Sequence, residues 1–138
     1  MARIIFADDD EIVAEVVTET LMSAGHAVAH FPDGAQALAA MRFRVPHIAI
    51  LDCAMPVLNG LETLRKIRCD KHLYRLPVLM LTGRADRGDE NIAIYEGANG
   101  YMRKPFDPDD LVVQVEALAS DPVLQSAHFN SESRLLVG

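Results

Sequence analysis

Residues 47–52 read His47-Ile48-Ala49-Ile50-Leu51-Asp52, a nearly continuous apolar run that stops at an acid. Such a run is typical of a β-strand buried on both faces, because a parallel sheet covered by helices on both sides hides every side chain. We therefore predict a strand that ends at Asp52, inside a parallel sheet.

Similar short apolar runs lie on both sides of this one, separated by segments in which apolar residues recur three and four positions apart. That spacing is typical of the buried face of an amphipathic helix. The other predicted strands are Arg3 to Ala7, Ala27 to Phe31, Pro77 to Leu81 and Gly100 to Arg103. Five alternating strands and helices predict an open, doubly wound α/β fold, with a parallel sheet of order 2-1-3-4-5 and helices on both faces.

Capping residues mark several helix ends in the sequence. Asp10 is suited to cap the first helix, and Gly25 can end it in a left-handed conformation. A weaker helix is predicted from about 86 to 96, and a last helix follows Asp107 and Pro108.

The length of 138 residues indicates one domain. We predict that this domain covers residues 1–120 and that residues 121–138 are a C-terminal appendix, to which the sequence assigns no role. The two cysteines, Cys53 and Cys69, fit neither a metal-ligand spacing nor a disulfide framework. We expect both to be free thiols.

The charge distribution excludes some partners. The formal net charge is −7, and the 13 Lys and Arg residues are scattered, so no basic stripe is available for direct nucleic-acid binding. No apolar run approaches the ~18 to 20 residues that span a bilayer, and none forms a signal-peptide core. We expect a cytoplasmic protein without a membrane or direct nucleic-acid partner.

Polar residues stand at the ends of four of the five predicted strands. Asp8 and Asp9 follow the first strand, Asp52 ends the third, Thr82 follows the fourth, and Lys104 comes just after the fifth. In open α/β sheets the functional site lies beyond the carboxyl ends of the strands, where the strand order reverses. We therefore expect these side chains to converge there.

Three neighbouring carboxylates repel one another by several kcal/mol even at an effective dielectric of ~20, so they need a cation or raised pKa values. Because all candidate ligands are oxygens, the cluster favours Mg²⁺, with Mn²⁺ possible, over catalytic zinc. With the hydroxyl of Thr82 and the ammonium of Lys104 beside the ion, the set is suited to phosphoryl transfer onto Asp52 as nucleophile.

Four motifs in this order resemble the receiver domain of two-component response regulators, which has a flavodoxin-like fold. The resemblance covers about residues 1–120. The motifs are Asp8-Asp9, Asp52-Cys53-Ala54-Met55-Pro56-Val57-Leu58-Asn59-Gly60, Thr82, and Tyr101-Met102-Arg103-Lys104-Pro105-Phe106.

The resemblance implies a phosphorylation site and a metal site. Asp52 would accept a phosphoryl group from a histidine kinase or histidine phosphotransfer protein. Asp9 and Asp52 would bind Mg²⁺ directly, Asp8 would assist, and the backbone carbonyl of Ala54 would be a further ligand. Such a domain is not an enzyme acting on other molecules, since it catalyses only its own phosphorylation and dephosphorylation.

The resemblance also implies a switch. Thr82 and Lys104 would contact the phosphoryl group, Tyr101 would be the switch aromatic, and the peptide bond between Lys104 and Pro105 would be cis. The chain departs from the family in one respect, because Asn99-Gly100 stands where many receivers have two acids before the aromatic. That departure puts in doubt a dimer through the face formed by the fourth helix, fifth strand and fifth helix.

Two other functions stay open at this point. One is a Mg²⁺-dependent aspartyl-phosphate hydrolase of the haloacid-dehalogenase type, although its nucleophile would follow the first strand in an Asp-x-Asp motif. The other is a receiver scaffold that is not phosphorylated. Because the sequence carries no output domain, we expect phosphorylation to be read by a downstream protein target or passed on to a histidine in a phosphorelay.

Overall fold

Five strands alternate with helices in the computed structural model, which describes residues 1–83 and 97–120. The strands are β1 (Arg3–Ala7), β2 (Ala27–Phe31), β3 (Ile48–Asp52), β4 (Val78–Thr82) and β5 (Gly100–Arg103). The helices within the described residues are α1 (Glu11–Ser23), α2 (Gly34–Phe43), α3 (Gly60–Cys69) and α4 (Pro108–Ala119). The predicted helix over about 86–96 and the predicted appendix over 121–138 lie outside the described residues.

The strands form one parallel sheet in the order β2-β1-β3-β4-β5, which confirms the predicted fold class and topology. Strands β3 and β4 each begin one residue later than predicted, at Ile48 and Val78. The central pair, β1 and β3, lies where the strand order reverses. The carboxyl ends of these two strands are therefore adjacent.

Alternation along β3 divides the core into two layers, because successive strand side chains point to opposite faces. Ala49 and Leu51 pack with α2 and α3 on one face, whereas Ile48 and Ile50 pack with α1 and α4 on the other. All five residues of β3 are buried, as the apolar run predicts.

Each helix begins at a capping side chain near the carboxyl edge of the sheet. Asp10 accepts hydrogen bonds from the backbone N–H groups of Ile12 and Val13, as predicted. Asn59 and Glu62 form a reciprocal capping box at the start of α3. These caps fix where the chain turns after each strand, and so they position the strand-end side chains.

Two smaller expectations can be compared with the described residues. Cys53 is buried, Cys69 is exposed, and no disulfide joins these two described residues. No helix among residues 1–83 and 97–120 is long and apolar enough to cross a bilayer.

Candidate functional site

Three carboxylates meet at the carboxyl edge of the sheet. Asp8, Asp9 and Asp52 each offer one oxygen, and these oxygens lie within 4.8 Å of one another. Asp8 and Asp52 are buried, whereas Asp9 is exposed. The predicted convergence of these acids is therefore present in the structure.

Backbone contacts on both sides of Asp8 direct its side chain into the site. Its N–H donates to the carbonyl of Phe31 at 3.1 Å, which carries the pairing of β1 with β2 one residue further. Its carbonyl accepts from Nε2 of His30 at 2.7 Å, and its Oδ1 accepts from the backbone N–H of Asp10 at 2.9 Å. With Asp8 held in this way, the adjacent Asp9 faces solvent.

Asp52 is the last residue of β3, and the chain turns tightly behind it. The N–H of Cys53 donates to the carbonyl of Leu81 at 2.9 Å, and the N–H of Gly60 donates to the carbonyl of Cys53 at 3.1 Å. A Cβ atom on Gly60 would overlap the carbonyl oxygen of Asp52. Glycine is therefore required at position 60 for the loop to close against the strand end.

Lys104 bridges the two buried carboxylates. Its Nζ lies 2.7 Å from Oδ2 of Asp8 and 3.2 Å from Oδ1 of Asp52. The backbone N–H of Lys104 donates to the carbonyl of Thr82 at 2.7 Å, and the peptide bond to Pro105 is cis, the isomer that the resemblance implies. The long side chain thus spans two strands to reach the acids, as its length predicts.

The other predicted site residues lie at or near this edge of the sheet. Thr82 is buried at the end of β4, and its hydroxyl donates to the carbonyl of Gly83 at 3.1 Å. Tyr101, on β5, is half-buried and packs against the core on the α2 and α3 face. Ala54 is exposed two residues after Asp52. The structure thus joins Asp8, Asp9, Asp52 and Lys104 in one cluster, with Thr82 at the end of the next strand.

Burial and charge raise the pKa of Asp52 to about 6. Removal from water is the largest cause, and the negative charge of Asp8 adds to it. The charge and hydrogen bond of Lys104 act in the opposite direction, and Asp9 contributes a smaller increase. The carboxylate of Asp52 is therefore a stronger base than an exposed one, yet it is mostly ionised near neutral pH.

The pKa of Lys104 is raised. Burial is the largest single effect and lowers it, but the hydrogen bonds and charges of Asp8 and Asp52 together outweigh burial. Lys104 is therefore a fixed positive charge in the cluster. With all four groups ionised, three negative charges face one positive charge.

The donor set fits a small, hard divalent cation. Oxygens that share one Mg²⁺ lie ~3 to 4 Å apart, given ligand distances of ~2.0 to 2.1 Å in an octahedron. Small side-chain rotations would bring the oxygens of Asp8, Asp9 and Asp52 to that spacing, since they already lie within 4.8 Å. Their excess negative charge supplies the electrostatic reason for binding a cation.

Sequence reasoning assigned no role at this site to His30 and Gly60, two residues that shape it. His30 supports the carbonyl of Asp8 from the edge strand, and Gly60 permits the close turn behind Asp52. No local pattern marks His30, since its partner lies 22 residues away. Gly60 did carry a signal, because it stands directly after the capping residue Asn59.

Comparisons with known proteins agree with this geometry. Residues 4–116 match the family model described as response regulator receiver domain. The chain is 38% identical over 115 residues to the DNA-binding response regulator MtrA of Mycolicibacterium smegmatis, an alignment covering 83% of this chain and 49% of that protein. It thus spans about half the length of the curated relatives it matches.

Two solved structures show the same likeness in three dimensions. A putative response regulator from Chloroflexus aurantiacus has a TM-score of 0.83 and 31% identity, covering 86% of this chain and 98% of that one. The receiver domain of sensor histidine kinase PA1611 from Pseudomonas aeruginosa, described with a magnesium ion coordinated in the active site cleft, has a TM-score of 0.81. It is 28% identical, over 87% of this chain and 98% of that chain.

Proposed function

This chain belongs to the response regulator receiver family, whose members are phosphorylated on an aspartate, and from this premise we propose that Asp52 is the phosphorylated residue. The phosphoryl donor is a histidine kinase or a histidine phosphotransfer protein. The phosphorylated domain then acts by contact with a downstream protein or by passing the phosphoryl group to a histidine.

One observation carries this assignment: among the three acids, Asp52 combines burial, a raised pKa and an uncommitted oxygen. Both oxygens of Asp8 are engaged, Oδ1 by the N–H of Asp10 and Oδ2 by Lys104. Asp9 is exposed. Within the described residues Asp52 is hydrogen-bonded only through Oδ1, to Lys104, so Oδ2 is available to attack phosphorus.

The transfer forms a bond between a carboxylate oxygen of Asp52 and phosphorus, and it breaks the bond between phosphorus and the donor's imidazole nitrogen. The donor histidine leaves as neutral imidazole when its other nitrogen carries a proton. Lys104, already beside Asp52 Oδ1, stabilises the negative charge on the phosphoryl oxygens. The hydroxyl of Thr82 exchanges its bond to Gly83 for one to a phosphoryl oxygen.

Receiver domains bind Mg²⁺ at an acidic pocket, and here Asp8, Asp9 and Asp52, with the backbone carbonyl of Ala54, would hold it. When bound, the ion neutralises negative charge on the phosphoryl oxygens. The magnesium described in the PA1611 receiver supports this assignment. Mn²⁺ has similar ligand preferences and could replace it.

Receiver domains are signalling switches, and the activity proposed for this chain is limited to its own phosphorylation and dephosphorylation. Phosphorylation adds ~1.5 to 2 negative charges and favours whichever conformation binds them better. When Thr82 moves toward the phosphoryl group, the side chain of Tyr101 rotates in response. The relative MtrA is described as a DNA-binding response regulator, but the match covers only 49% of that protein. DNA binding is therefore not part of the function proposed for this chain.

The test is intact-mass analysis after incubation with acetyl phosphate and Mg²⁺. Wild type gains one phosphoryl group, and hydroxylamine removes it, as expected of an acyl phosphate. Asp52→Asn gains none, because an amide is not a nucleophile here. Asp110→Asn, which removes an exposed acid of α4, is the matched control and behaves as wild type.

An adduct that persists in Asp52→Asn would refute the assignment. Absence of any adduct in wild type, with both acetyl phosphate and phosphohistidine donors, would favour the non-phosphorylated scaffold. The match of residues 4–116 to the receiver family does not agree with the haloacid-dehalogenase alternative.

A further inference from the structure

A cavity of about 280 Å³ opens at the edge of the sheet, between the amino-terminal half of β2 and the end of α2. Its floor includes Ala27 and Ala29, which share a face of β2 with Phe31 and so face the α2 side. Ala40 of α2 and Ile5 of β1 also line it. The cavity exists because small side chains on both elements leave the space between helix and edge strand unfilled.

Two arginines, Arg3 and Arg44, stand among the otherwise apolar lining, and none of the described residues that line the cavity is acidic. Within residues 1–83 and 97–120, neither arginine forms an ion pair. Nη2 of Arg3 donates to the carbonyl of Val45 at 3.1 Å, which holds the guanidinium in place. Nε of the same residue is buried and has no acceptor within the described part of the chain.

The surroundings are locally positive although the whole chain carries a net charge of −7. The pKa of His47 is lowered, first by burial and then by the charges of Arg3, the chain's N-terminus and Arg44. The charges of Arg3 and Arg44 thus extend over this part of the molecule, and none of the described residues in the cavity wall is acidic. An anion bound between the two arginines would be attracted by both.

We propose that the cavity binds a small apolar carboxylate of the fatty-acid class. The carboxylate lies between Arg3 and Arg44, where guanidinium groups offer the paired donors that carboxylates accept. The hydrocarbon chain lies against Ala27, Ala29 and Ile5. A volume near the lower end of the ~300 to 1,000 Å³ usual for ligand pockets limits the ligand to a short or medium chain.

This site is distinct from the acidic cluster. Its lining comes from the first three residues of β1 and of β2 and from the end of α2 and the segment after it, whereas Asp8 and Asp52 lie at the carboxyl ends of β1 and β3. The proposal therefore does not rest on the phosphorylation of Asp52. An Asp52→Asn protein should bind the same ligand as wild type.

The test is a titration of the full chain, labelled for NMR, with three eight-carbon probes. Octanoate should give saturable shifts at Ala27, Ala29 and Ile5. We expect it to bind at least tenfold more tightly than octanol, which has the same chain without the charge. Octylammonium should not bind, because its charge is repelled by both arginines.

Variants separate the charged part of the site from the apolar part. Arg44→Gln should weaken octanoate binding about tenfold, and Arg3→Lys should weaken it several-fold, because an ammonium keeps the charge but lacks the planar pair of donors of a guanidinium. Ala29→Leu should abolish binding by filling the cavity. Lys66→Gln and Ala35→Leu, at exposed positions outside the lining, are matched controls and should leave it unchanged.

Two kinds of result would overturn the proposal. Equal affinity for octanoate and octanol, or octanoate binding unaffected by Arg44→Gln, would mean that the arginines do not recognise the carboxylate. Absence of saturable shifts at millimolar octanoate, or undiminished binding in a folded Ala29→Leu protein, would mean that the cavity is not the site.

Discussion

Two histidines at the amino end of the sheet form hydrogen bonds with backbone and acidic groups, whereas at the carboxyl end three acids crowd around one ammonium. At the amino end, Nδ1 of His26 accepts from the N–H of Ala2 at 3.0 Å, and its Nε2 donates to Glu116 at 2.9 Å. Nδ1 of His47 accepts from the N–H of Arg3 at 2.8 Å. These two histidines satisfy the backbone donors of Ala2, just before β1, and of Arg3, its first residue.

At the carboxyl end, Lys104 cannot neutralise Asp8, Asp9 and Asp52 together. The histidine contacts at the amino end of the sheet therefore stabilise the fold. The acidic cluster at the carboxyl end has unfavourable electrostatic energy, which a bound cation reduces. The comparison teaches that polar residues at strand ends indicate a function when their charges are left uncompensated. Substitutions or a metal ion that change the charge at either end should therefore change stability in a predictable direction.

The largest expected effect is stabilisation by Asp52→Asn. Because the pKa of Asp52 is raised from 3.8 to about 6 on folding, ionisation of Asp52 costs stability as pH rises through this range. The variant should raise the free energy of unfolding by up to about 3 kcal/mol above pH 6, and by little below pH 4. Urea unfolding at pH 4 and pH 7.5, without Mg²⁺, measures this.

Asp110→Asn, at an exposed position of α4, is the control for that comparison. If Asp52→Asn were no more stable than wild type at pH 7.5, the carboxyl edge would not carry the proposed electrostatic cost.

Removal of the Lys104 ammonium should lower the free energy of unfolding, whereas Asp52→Asn raises it. Lys104→Met leaves Asp8 and Asp52 without their shared partner. We expect the free energy of unfolding to fall by about 2 kcal/mol at pH 7. This is less than for a fully buried pair, because the lysine side chain is 20% exposed. Addition of Mg²⁺ should restore part of the loss, since it supplies a cation at the same place. Lys66→Met on α3 should change neither stability nor its response to Mg²⁺.

The third prediction concerns metal binding itself. Mg²⁺ at ten times its dissociation constant should stabilise wild type by about 1.4 kcal/mol, seen as a rise in melting temperature. Asp9→Ala should reduce this rise by weakening the site, while its exposed position predicts little effect on stability without metal. An equal rise in Asp9→Ala and wild type would remove Asp9 from the metal site.

The smallest expected effect on stability comes from His47, at the amino end of the sheet. The pKa of His47 is lowered on folding, so the unfolded chain takes up a proton more readily and stability falls as pH drops below about 6.5. We expect this loss to build up between pH 7 and pH 5, where an unfolded histidine gains its proton. Protonation would also oppose the hydrogen bond from the N–H of Arg3.

The measurement compares Asp52→Asn with the double variant Asp52→Asn/His47→Gln, because Asp52 titrates in the same range with the opposite sign. The loss of stability on acidification should be smaller in the double variant. His72→Gln, at an exposed position, is the matched control. A pH dependence identical in both proteins would show that His47 does not contribute.

The order and type of the described elements could be predicted because hydrophobic periodicity is a local property. The run that ends at Asp52 places β3 to within one residue, and Asp10 caps α1 as its position indicates. Strand ends follow from the same pattern. Once the strands are taken as parallel, the acids and Lys104 must meet at one edge, and the structure brings them into contact.

Tertiary structure alone decided how the charges are shared. Nothing local distinguishes Asp8 from Asp9, yet contacts with Phe31 and His30 bury Asp8 and leave Asp9 exposed. The shorter contact of Lys104 is with Asp8, not with the predicted nucleophile.

At the amino end of the sheet, contacts between residues far apart in the sequence could likewise not be predicted. His26 meets Glu116 across 90 residues, and Arg3 faces a cavity formed by side chains too small to fill it. Sequence patterns determined which elements form, since backbone conformation and burial period are set by near neighbours. Packing determined charge pairing and empty space, because both depend on groups that meet only when the whole sheet is assembled.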